Sequence, residues 1–199
     1  MIDAFGFALT GLREGLRYQP HVRMHFMAAV AVCMVGGAVP LSVGAKAALL
    51  LASGAVIAAE LMNTAVESAV DLASPHLDPL AKRAKDAAAG AVLVLAAASA
   101  FVLVTVLVGE WGRVRMDDAL RTSAYGWPLV AATWAAMHPR GALRTAGRVT
   151  IVGCLACAWV FTRDPIFTSF ATLLEALVLS AGPARPRGRS TRGTAPRPR

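Results

Sequence analysis

Three stretches of this chain carry no charged side chain: residues 26–45, residues 47–59 and residues 87–109. They are bounded in turn by His25 and Lys46, Lys46 and Glu60, and Asp86 and Glu110. A hydrocarbon core about 30 Å thick needs about 20 apolar residues in a helix. The first and third stretches reach that length alone. The second reaches it only if its helix runs on through Glu60 and Glu67, which puts carboxylates at membrane depth. Inside a bilayer no water satisfies backbone N–H and C=O groups, so such segments fold as helices. Only 16% of the residues are charged, against about 25% in average soluble domains. The expected fold class is therefore an all-α integral membrane protein.

The chain begins with an amphipathic stretch. Ile2, Phe5, Leu9, Leu12 and Leu16 recur at helical spacing, with Asp3, Arg13, Glu14 and Arg17 off that stripe. Such a helix suits the interface plane. A secretory signal has a different layout, with an apolar core and a small-residue cleavage site, and none is expected. Spanning helices are expected over 26–43, 45–72 and 85–109. A polar loop over 73–84 contains Pro75 and Pro79, and a charged linker covers 110–122. Three shorter apolar pieces follow at 124–138, 146–161 and 166–182, read as about three further transmembrane helices.

Cationic residues fall in groups: Arg13, Arg17 and Arg23; Lys82, Arg83 and Lys85; Arg140, Arg144 and Arg148; and the arginines from Arg185 onward. With six spans all four groups lie on one side, and the positive-inside rule makes that side cytoplasmic, with both termini. The Arg-, Pro- and Gly-rich residues 183–199 are expected to be a disordered tail beside anionic headgroups rather than a nucleic-acid site. Cys154 and Cys157 lie in an apolar run without further ligands, so they read as packing residues, as does Cys33, rather than as a redox or zinc pair.

Glu60, Asn63, Glu67 and Asp71 are separated by three, four and four residues, which puts them on one helical face. A charge at the bilayer centre costs about 2.5–3.5 kcal/mol on insertion scales. A line of carboxylates there suggests a divalent cation and a proton acceptor; the plain alternative is headgroup exposure for Glu67 and Asp71 and a paired lysine for Glu60. Lys82, Arg83, Lys85 and Asp86 follow, and cations near a metal-binding carboxylate are the equipment of phosphoryl transfer. Gly44-Ala45-Lys46 lacks the rest of a phosphate loop, and no G-x-G-x-x-G occurs, so a soluble kinase fold is not expected.

The run Glu60-Leu-Met-Asn63-Thr64-Ala-Val-Glu67, then Asp71, then Ala84-Lys85-Asp86-Ala-Ala-Ala-Gly90-Ala91-Val92, resembles the signature of prokaryotic diacylglycerol/undecaprenol kinases. The likeness reaches back through Arg23-Met24-His25 to Phe5, Ala8 and Gly11 and covers about residues 1–109. It implies a kinase domain of three spanning helices and a surface helix in the bacterial inner membrane. It also implies a homotrimer with active sites between subunits, and ATP with Mg²⁺ acting on a lipid alcohol. In that resemblance Glu60 is the catalytic base and Glu67 the metal carboxylate. Asn63, Glu67, His76, Asp78, Lys85 and Asp86 are nucleotide-binding. Gln19 stands where the family has a second metal-supporting Glu, and Glu14 is an alternative. The Arg-x-His pattern before the first span leans toward undecaprenol over diacylglycerol.

Residues 110–182 weakly resemble a degenerate type 2 phosphatidic acid phosphatase, through Tyr125-Gly126-Trp127-Pro128, Thr162-Arg163 and Thr172-Leu173-Leu174-Glu175. The histidines of that chemistry are missing, so no phosphatase activity is expected. Two rivals to the kinase are a lipid phosphate phosphatase and an inactive membrane scaffold, the latter resting on Gln19 alone.

Overall fold

A computed structural model describes residues 2–74, 76, 78–138, 141–161 and 164–182. The described residues form seven helices and no strand: α1 (Ile2–Tyr18), α2 (Pro20–Gly37), α3 (Val43–Ala73), α4 (Pro79–Glu110), α5 (Met116–Ala136), α6 (Gly141–Phe161) and α7 (Pro165–Ser180). A single 3₁₀ turn, Trp111–Arg113, joins α4 to α5.

Helix starts follow ordinary end chemistry. Proline at the first helical position sets φ for the helix and gives up an amide that would be unpaired anyway. Pro20, Pro79 and Pro165 do this for α2, α4 and α7. Side chains that accept from the open amides cap three starts: Ser42 at α3, Asp78 at α4 and Asp164 at α7.

These starts correct several expected boundaries. The helix expected as a first span over 26–43 is α2, which begins at Pro20 and ends at Gly37 and is not among the helices long and apolar enough to cross a membrane. The loop expected over 73–84 shrinks to the residues between Ala73 and Pro79, so Lys82 and Arg83 are helical. The linker expected over 110–122 is mostly helix, because α5 starts at Met116. Pro128 lies inside α5 without ending it. Pro75, Leu77, Arg140, Thr162, Arg163 and the tail expected over 183–199 lie outside the described residues.

Two antiparallel helix pairs, α3–α4 and α5–α6, make the most extensive contacts, and α2 stands between them against α3, α5 and α7. Val22, Phe26, Val30 and Leu129 form the centre of the core. A second cluster joins Cys33, Leu49 and Phe167. Close helix approach depends on two glycines. A Cβ on Gly36 would come within 2.5 Å of the Phe167 ring, and one on Gly147 within 2.5 Å of the Ala136 backbone nitrogen.

α4 is different. Val92 is its only buried residue, and Leu93, Phe101, Val104 and Val108 are exposed. An apolar helix with so little protein around it is built for lipid. Among the described residues three helices are long and apolar enough to cross a membrane: Val43–Ala73, Pro79–Arg113 and Gly141–Val160. α7 is apolar but shorter. α1 packs lightly against α2, α3 and α7 and leaves Phe5 and Phe7 exposed. Arg13 donates to the Ser180 hydroxyl at 3.0 Å and Arg17 to the Ala181 carbonyl at 2.8 Å, so the first helix is tied to the end of the last. Of the three free cysteines, Cys33 and Cys154 are buried and Cys157 is exposed.

Candidate active site

The acidic stripe lies along the second half of α3. Its residues are helical because Ala, Leu, Met and Glu dominate the segment and nothing interrupts it before Ser74. Glu60 and Asn63 are buried, at 6% and 9% exposure, although both are polar. Glu67 is half-buried and Asp71 exposed, so the stripe runs from protein interior toward solvent. Among the described residues no cation forms an ion pair with Glu60. The partner lysine of the plain alternative is therefore not supplied within the described residues.

Asn63 links the stripe. Its Nδ2 donates to Glu67 Oε1 at 3.0 Å. Its Oδ1 is buried and has no hydrogen-bond partner among the described residues. A buried amide oxygen without a donor is costly, and its position beside the Glu67 carboxylate makes the pair a neutral-plus-anionic oxygen set. Thr64 and Ser68 turn their hydroxyls back onto the carbonyls of Glu60 and Thr64.

The start of α4 closes against the end of α3. Lys85 pairs with Asp71, and Lys82 pairs with Asp86 at 2.5 Å along the helix. The Asp78 carboxylate accepts from the Leu80 and Ala81 amides at 2.6 and 3.1 Å and caps α4. His76 is exposed, and its carbonyl accepts from the Ser74 hydroxyl at 3.2 Å.

Gln19 sits at the break between α1 and α2 and caps no helix with its side chain. It lines a cavity of about 840 Å³ between α1 and α3, together with Glu14, Tyr18, Thr64 and Ser68. Sequence reasoning did not single out Thr64, Ser68 or Tyr18 as cavity residues. The signal was present for two of them: Thr64 and Ser68 follow Glu60 at intervals of four and so share its side of the helix. The backbone of Gly15 comes so near α3 that a Cβ there would lie 2.7 Å from Leu61. The cavity thus brings Gln19 and Glu14 against Leu61, Thr64, Ala65 and Ser68 of α3, while Glu60, Asn63, Glu67 and Asp71 do not line it.

Among the described residues no three His, Cys, Asp or Glu side chains converge as a metal site. The oxygen set suits a different arrangement. Mg²⁺ keeps several waters and is commonly held by one or two carboxylates plus substrate phosphates. Glu67, with the unpartnered Asn63 oxygen next to it, fits a metal that arrives on a phosphate.

Comparison with known proteins bears directly on this site. Residues 6–107 match the family model for prokaryotic diacylglycerol kinase. The chain is 41% identical over 99 residues to the undecaprenol kinase of Bacillus subtilis, covering 50% of this chain and 80% of that protein. It is 40% identical over 103 residues to a diacylglycerol kinase of Synechocystis, covering 51% of this chain and 59% of that protein. A diacylglycerol kinase of Pseudomonas aeruginosa is 27% identical over 114 residues. No solved structure matches. The family match contains the whole stripe of α3, its partners on α4 and the Gln19 break, and it ends within α4. The chain is an enzyme, a membrane lipid kinase, and belongs to the prokaryotic diacylglycerol kinase family.

Proposed function

We propose that the protein transfers the γ-phosphate of ATP to undecaprenol, with diacylglycerol as the next candidate. The observation that supports this most is Glu60: a buried carboxylate on a spanning helix, with no cation paired to it among the described residues. A carboxylate in that setting can take the proton from a lipid hydroxyl as the oxygen attacks phosphorus. The preference for undecaprenol rests on the Bacillus subtilis relative and on the Arg-x-His pattern before α2.

Each remaining residue has a place in this reading. Glu67, steadied by Asn63, would hold Mg²⁺ carried by the nucleotide, and the metal would draw charge from the transferring phosphoryl group. Gln19 or Glu14 would support it across the α1–α3 cavity. Lys85 would exchange Asp71 for phosphate oxygens. Asp86 and His76 stand on the exposed approach to that site and would contact the rest of the nucleotide. The division expected from the sequence then assigns residues 1–109 to the kinase, 110–182 to a degenerate phosphatase-like membrane region and 183–199 to a basic tail. The enzyme would sit in the bacterial inner membrane as a homotrimer with both termini cytoplasmic.

The test is ATP-dependent phosphorylation of undecaprenol and diacylglycerol by purified protein in lipid, beside Glu60→Gln. We expect product with the wild type and a loss of about 10²–10⁴-fold in the variant, the usual contribution of a general base. Equal rates in the two proteins would remove Glu60 from the mechanism. A preference for diacylglycerol would reverse the substrate order.

A further inference from the structure

The end of α3 remote from Glu60 faces a second polar cavity, of about 340 Å³. Three cations line it: Lys46 on α3, and Arg115 and Arg121 at the start of α5. Along α3, Lys46 is about 21 Å from Glu60 and about 37 Å from Asp71 at 1.5 Å per residue. The cavity is thus separate from the candidate active site and lies toward the other membrane face.

Its donors are only partly used. Lys46 is paired with Asp164. Arg115 approaches Asp118 at 3.8 Å, too long for a hydrogen bond. Among the described residues Arg121 forms no ion pair. The hydroxyl-bearing residues Thr122 and Tyr125 line the same space and are only 5% and 8% exposed. Neither hydroxyl forms a hydrogen bond among the described residues, and both oxygens stay accessible from the cavity. α5 begins at this cavity with no side chain capping its first amides and with Asp117 and Asp118 in its first turn, where a helix start carries partial positive charge.

We infer that this cavity binds a phosphate-bearing anion, as a site distinct from the kinase centre. Cations outnumber carboxylates there, three to two. Two guanidinium groups offer forked donors that match phosphate oxygens. The Thr122 and Tyr125 hydroxyls supply neutral donors from the buried wall. A phosphate presents several acceptor oxygens at once, which is what separated donors of this kind require. The source is either a lipid headgroup reaching in from the membrane surface or a free phosphate from solution.

The experiment measures thermal unfolding of the full-length protein with inorganic phosphate, against chloride at matched ionic strength. A second arm uses nanodiscs of phosphatidylcholine with and without phosphatidylglycerol. Both arms include an Arg115→Ala/Arg121→Ala double variant and Tyr125→Phe, which keeps the packed ring and removes only the hydroxyl. We expect stabilisation of the wild type, with apparent affinity weakened about tenfold or more in the double variant, the loss expected when charge-assisted bonds go. Tyr125→Phe should weaken binding less. Lipid phosphorylation should be unchanged in both variants. A shift with inorganic phosphate points to solution phosphate, and a shift only with phosphatidylglycerol points to a headgroup; either supports the site. The proposal is overturned by no shift in either arm, by a shift that both variants retain, or by loss of kinase activity in Tyr125→Phe.

Discussion

Glu60 and Asn63 carry the strongest signal in the chain because burying them is unfavourable unless a partner or a task compensates. Their spacing with Glu67 and Asp71 was legible in the sequence, since a single helix fixes which residues share a face. The Asn63–Glu67 hydrogen bond follows from the same interval of four. What the sequence left open was how each residue is occupied. Asp78 shows the difference. The resemblance gives it a nucleotide contact, and the structure adds a second occupation, its carboxylate lying on the first amides of α4. Asp78→Ala should cost about 1 kcal/mol, as loss of a cap usually does, and lower the thermal unfolding midpoint by a few degrees. Kinase assays on the same variant separate the roles: a cap leaves the KM for ATP near wild type, and a nucleotide ligand raises it.

Helix identity was readable from charge-free length, and helix ends were not. Residues 26–45 gave away a helix, but α2 starts earlier because Pro20 begins a helix that takes in His21, Arg23 and His25. These polar residues fall on the flank of the apolar run, where composition argues against helix and end chemistry argues for it. The joint between α2 and α7 was invisible for another reason. Gly36 and Phe167 are remote in sequence, and only packing brings the ring over the glycine. Gly36→Ala should destabilise the protein by about 1–3 kcal/mol through overpacking. Adding Phe167→Leu should recover part of that loss. A double-mutant cycle on thermal unfolding checks it, and strictly additive effects would deny the contact.

At the scale of the whole molecule, the family match stops at residue 107, yet the core does not stop there. Leu129, Ala132, Ile151 and Leu174 share one cluster with Val22, Phe26 and Val30. The Lys46–Asp164 pair and the Arg17–Ala181 bond join the halves at two further points. Truncation after Arg113 should therefore strip cover from α2, lower the unfolding midpoint and increase aggregation in detergent. A truncated chain as stable as the full one would show that α5–α7 only rests against the kinase half. No pattern in the sequence announced this union, because its contacts join positions remote in sequence, from Gly37 with Thr122 to Arg17 with Ala181. The far cavity escaped notice for the same reason: its wall is drawn from α3, α5 and the start of α7.

α3 and α4 are 31 and 32 residues long, which makes each about 46–48 Å. Hydrocarbon about 30 Å thick cannot cover them, so the Asp71–Lys85 end must stand in the headgroups or beyond while Glu60 remains deeper. The hairpin then acts as a depth gauge, and the host membrane sets its reading. In a thicker bilayer Glu60 sinks relative to the interface from which, on the proposed reading, the nucleotide would approach; in a thinner one it rises. Tilt absorbs part of that mismatch at fractions of a kcal/mol per Å, and the remainder falls on the meeting of two substrates that share no solvent. Transfer rates measured in bilayers of graded acyl length should pass through an optimum, and a flat profile would mean that the hairpin tilts freely enough to hold its depth.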